Sequence, residues 1–114
     1  MIMLPPGAVE IFLFGGDVYI CKCWVDIHLL DEPGTLKEKR RIIRSLKDRI
    51  WNRFRVSVAE VGAKNLCQRA EMGIAFAADD GLPADRLLQK IINLIDSDPA
   101  LEIVDIFQEV EKLK

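Results

Sequence analysis

Cys21, Cys23, His28 and Cys67 are the side chains in this 114-residue chain that invite a metal, because thiolates and imidazole are zinc ligands. Their spacing argues against one. Cys21 and Cys23 are two apart and would share a strand face, whereas His28 is an odd number of residues from both and points away. No CxxC or HxxxH spacing occurs anywhere in the chain. His28 is also the single histidine and the only easy general base, and no nucleophile stands beside it. Asp26 would share its face, which reads as a structural or surface pair. These residues give no catalytic centre and call for no cofactor, so the chain is expected to be non-enzymatic.

A denser signal is the row Lys37, Arg41, Arg44 and Lys47, with Arg40 in support. From Leu36 to Arg55 there are nine Lys or Arg against two acids, while the remainder has seven against sixteen. The net charge of −2 therefore conceals a bipolar molecule. Cations repeated every three or four residues line one helix face and suit phosphate contacts, which add affinity by releasing counterions. The plainer alternative is a solvated face paired to acids elsewhere.

The elements that would carry these residues follow from periodicity. Val18 to Leu29 alternates, with Cys21, Cys23, Val25, Ile27 and Leu29 on one face and Lys22, Trp24, Asp26 and His28 on the other. Pro33-Gly34 breaks that strand. Thr35 and Glu38 form a capping-box pattern before a helix from Leu36 to about Phe54, whose apolar stripe holds Leu36, Ile43, Leu46, Ile50 and Phe54. Lys39 falls near that stripe, so it must either snorkel outward or meet an acid. Strands follow at Val56–Val61 and Cys67–Ala78. A second helix then opens near Pro83 and stops at Asp98-Pro99, and a last strand runs from Leu101 to about Val110 with an irregularity near Asp105.

The order is βαββαβ, a ferredoxin-like α+β fold: a four-stranded antiparallel sheet with two helices on one face and the other left open. Anion-binding enzymes of this topology, such as acylphosphatase, need cationic and backbone donors in the first strand–helix loop. Here that loop carries Asp31 and Glu32, which would repel a phosphate. RNA-recognition domains stack bases on aromatics of the open face. Trp24 is the one aromatic in phase with that face on the first strand, whereas Phe76 falls with the apolar set. An alternative is therefore a protein-interaction or homodimerisation surface around Trp24, with His28 and Arg69 as contributors.

Half the residues are apolar and 30% are charged, which suits one globular domain and argues against disorder. Three cysteines without a usable disulfide spacing point to a reducing, cytoplasmic compartment. No apolar run reaches membrane-spanning length. Residues 1–17 contain no Lys or Arg and fit the rest poorly, so they lack the basic start of a secretory signal. The plain readings of this leader are a docked extra strand or a loose tail; the sharper one is that Gly15-Gly16-Asp17, which a ribosome-binding-like stretch can encode, precedes a natural start at Val18, leaving 18–114 as the domain.

Leu36-Lys37-Glu38-Lys39-Arg40-Arg41, Val56-Ser57-Val58-Ala59-Glu60-Val61, Gln68-Arg69-Ala70-Glu71-Met72-Gly73 and Asp98-Pro99 form an ordered set. With His28 before the first loop, they resemble the YlxP-like family of small bacterial proteins of uncharacterised function. The resemblance spans roughly Val18 to Val110 and departs at the leader. It implies a ferredoxin-like fold. Because the family's genes tend to lie among those of translation and ribosome-maturation factors, it also implies RNA or small-ribosomal-subunit association. It supplies no catalytic residues.

Overall fold

In a computed structural model, which describes residues 16–114, the elements are β1 (Tyr19–Leu29), α1 (Leu36–Phe54), β2 (Ser57–Gly62), β3 (Arg69–Ala78), α2 (Gly81–Asp96) and β4 (Leu101–Lys112). The strand order is β2-β3-β1-β4 and every pairing is antiparallel. This is the ferredoxin-like α+β arrangement expected from the periodicity. Most of the expected leader lies outside the described residues. Of its end, Asp17 Oδ1 stands 3.6 Å from Lys112 Nζ.

β1 is the central strand, and its alternation sets the layers. Val25, Ile27 and Leu29 point into a core completed by Ile43, Leu46 and Ile50 of α1, Met72 and Ile74 of β3, and Leu88, Ile91 and Ile95 of α2. Full burial of each such side chain is worth roughly 1.5–3 kcal/mol, so this seam holds both helices to one sheet face.

Helix α1 begins where Thr35 takes extended backbone and its Oγ1 accepts from the Glu38 N–H at 3.1 Å. Glu38 reaches back, but to the Gly34 N–H (3.0 Å), one residue upstream of the usual capping-box partner. The helix ends at Arg55 in the left-handed region (φ 55°), whose N–H donates to Trp51 O and whose guanidinium lies 5.5 Å from the Trp51 ring centroid. Helix α2 starts at Gly81, two residues before Pro83, because Asp80 accepts from the Leu82 N–H and so acts as the cap.

Lys39 is buried. Its ammonium donates to Ala63 O (2.6 Å) and stands 2.9 Å from Glu60 Oε2. The second contact is an ion pair of poor hydrogen-bond alignment, since Oε2 has no hydrogen-bond partner among the described residues. The pair pins α1 to β2 and the turn behind it, where Ala63 takes a left-handed φ of 55°.

Each edge strand carries an extra residue. Val61 interrupts the β2–β3 ladder between Glu60 and Gly62, and Val104 interrupts β1–β4 between Ile103 and Asp105. Beyond Val104 the inward and outward positions of β4 exchange. Asp105 and Phe107 thus join the open face opposite Asp26 and Trp24, and Ile106 lies opposite Val25.

Candidate nucleic-acid interface

The exposed flank of α1 gathers Lys37, Arg40, Arg41 and Arg44 around one shallow concavity of about 230 Å³. Their offsets of three and four residues bring them together on a helix surface. Among the described residues none of the four makes an ion pair, although Lys22, Lys39, Arg49, Arg69 and Lys112 each have a carboxylate within reach. Glu38, the acid closest in sequence, has its carboxylate committed to the Gly34 N–H. Four cations facing one hollow without counter-charge form a ready anion site.

Lys47 is placed apart from this group. It is half-buried and lines a neighbouring hollow with Asp48, Trp51, Val56, Ser57 and Val58. Sequence reasoning missed a second feature, a groove of about 560 Å³ between the helices, lined by Arg49, Asn52, Arg53, Leu94 and Ser97. It continues toward Lys90 and Asn93. Arg49 is partly spent there, because its Nη2 donates to Asp98 Oδ2 at 2.7 Å. Burial raises the Asp98 carboxyl, but the Ala100 N–H and the Arg49 guanidinium outweigh it and hold the group below its ordinary value.

The partner candidates lie on the opposite side, on the open sheet. Trp24 is half-buried there, its Nε1 donating to Glu71 Oε1 at 2.9 Å. Asp26 is taken by Arg69, whose Nε and Nη2 donate to its two oxygens at 3.3 and 2.5 Å. The expected Asp26–His28 pair is thereby replaced, because the guanidinium fork of β3 matches the carboxylate better than an imidazole two residues along the same strand. His28 stands between Arg69 and Glu102 in the sheet register.

Cys21 and Cys23 face the helices, away from His28, and Cys67 lies in the β2–β3 connection. Burial pushes the Cys23 thiol up to about 11. The Cys21 thiol is raised by burial and then by the Asp85 carboxylate. No group of three or more His, Cys, Asp or Glu among the described residues is placed to hold a metal, and no helix there is long and apolar enough to cross a membrane.

Fold and surfaces define a small ferredoxin-like domain with a cationic helix layer and an open, acid-rich sheet. The chain belongs to the family described as "Protein of unknown function (DUF503)", whose family model matches residues 20–108. It is 33% identical over 82 residues to the "Uncharacterized protein YlxP" of Bacillus subtilis (strain 168), an alignment covering 72% of this chain and 84% of that protein. The family carries no assigned chemistry.

Proposed function

We propose that this chain is a non-enzymatic accessory protein that binds RNA, on the small ribosomal subunit or alone, through the cationic flank of α1. The observation behind this reading is the convergence of Lys37, Arg40, Arg41 and Arg44 on one hollow with no carboxylate partner among the described residues. Their guanidinium and ammonium groups contact phosphates, and Lys47 extends the track toward the helix end. Such contacts position a backbone without reading its sequence. The resemblance to the YlxP-like family supports the same direction through the gene neighbourhood it implies.

The test is binding of the purified chain to structured RNA and to the small ribosomal subunit across a salt series, beside a Lys37/Arg41/Arg44→Glu variant. About four phosphate contacts on single-stranded RNA give a log–log salt slope near −3 at roughly 0.7 per contact. Saturable binding with that slope, lost in the variant, supports the reading. Binding that ignores salt, or none at low salt, refutes it.

A further inference from the structure

An apolar strip crosses the open sheet from edge to edge. Val61 of the β2 bulge lies over Gly73, where an added Cβ would come 3.0 Å from its Cγ1. Trp24 is the cross-strand neighbour of Gly73 on one side and of Phe107 on the other. Val61 and Phe107 are 55% and 54% exposed. Trp24 is held by Glu71, so its indole has little freedom left to lose when a partner packs on it. At about 4.8 Å between strands the strip is roughly 15 Å long, enough to seat one short segment.

The surrounding charge decides what fits. In register on this face stand six carboxylates, Asp26, Glu71, Glu102, Asp105, Glu109 and Glu111, against two cations, Lys22 and Arg69. Both cations are already matched, Arg69 by Asp26 and Lys22 by Glu109 and Glu111. A paired Trp and Phe on such a sheet would suit nucleobases, but phosphates would meet uncompensated negative charge. A second copy laid face to face would set carboxylates against carboxylates. A basic polypeptide meets neither obstacle.

We infer that the open sheet face docks a protein segment presenting an apolar anchor between Lys or Arg side chains. The anchor packs on Trp24, Phe107 and Val61, and the flanking cations meet Glu102 and Asp105. The surface is separate from the α1 flank, so the two sites stand or fall independently.

The experiment is selection of a displayed random-peptide library on the immobilised full chain. Synthetic copies of the enriched peptides are then titrated against a Trp51→Phe variant, in which Trp24 is the sole indole. Expected are peptides with an aromatic or aliphatic residue flanked by Lys or Arg, which shift Trp24 emission and bind at least tenfold more weakly to Phe107→Asp. The half-exposed Phe107 leaves the melting curve of that variant unchanged, and the Lys37/Arg41/Arg44→Glu variant binds the peptides as the parent does. No enrichment, acidic or uncharged winners, or equal affinity for Phe107→Asp would overturn the inference. RNA binding abolished by Phe107→Asp, or a dimer dissociated by it in sedimentation, would overturn it in favour of nucleic acid or a second copy.

Discussion

Replacing Lys39 with Met keeps the apolar stem of a side chain that is 1% exposed and deletes its ammonium. Ala63 O then loses its 2.6 Å hydrogen bond, and Glu60 Oε2 loses a counter-charge that no hydrogen bond replaces. Breaking a buried ion pair from one side costs about 3–5 kcal/mol. Glu60 keeps 18% of its side chain exposed, so water recovers part of that and about 3 kcal/mol is expected. At roughly 4–8 °C per kcal/mol for a domain of this size, the melting temperature falls by about 12–24 °C. Urea unfolding followed by circular dichroism measures the loss. Lys39→Met/Glu60→Leu, which removes both charges, recovers most of it. A single variant within about 1 kcal/mol of the parent, the range of a solvated surface pair, would refute the reasoning. So would a double variant no more stable than the single.

Four further outcomes follow from the local chemistry. The Asp98 carboxyl is held below its ordinary value of 3.8, so its contribution is present above that value and lost as pH falls through the folded one. Asp98→Asn is therefore less stable than the parent at neutral pH, and acid titration of both by circular dichroism shows the gap closing below 3.8. The Cys23 thiol, raised from 9.0 to about 11, contributes fully below 9.0 and progressively less as pH rises to 11. Stability thus falls by up to about 1.4 kcal/mol per pH unit in that window, and Cys23→Ala flattens the slope. A thiol reagent on the native chain labels Cys67 first, with Cys21 and Cys23 reacting only after denaturant is added. Thr35→Ala removes the α1 cap and costs about 1 kcal/mol in the same unfolding assay.

The fold was legible because β1 keeps its period throughout and α1 departs from its own chiefly at the buried Lys39. Cys21 to Leu29 alternates through five inward positions, and Ile43, Leu46 and Ile50 fall on one helical stripe. The cationic flank was legible for the same reason, as helical spacing alone sets Lys37, Arg40, Arg41 and Arg44 side by side. In β4 periodicity gave the strand and an irregularity near Asp105, but not the face that each later residue takes. Leu101 and Ile103 point inward, and unbroken alternation would carry Asp105 and Phe107 into the core beside them. Burying that carboxylate without a partner would cost several kcal/mol, and the extra residue Val104 avoids it. The signal was the switch of apolar parity from Ile103 to Ile106, which also moves Phe107 beside Trp24. The fate of Lys39 was equally closed to sequence, because its partner Glu60 lies on another element and only the tertiary fold brings them together.

The two bulges also bear on how the molecule behaves in a crowded solution. β2 and β4 are the outer strands, and each would offer its free N–H and C=O groups as a template for the next chain. Val61 and Val104 break the even spacing that such templating needs. The sheet can keep Val61 and Phe107 exposed while its borders resist growth into fibrils. Excision of either valine would leave a continuous border strand, and the first sign would be a fall in colloidal stability on concentration or mild heating.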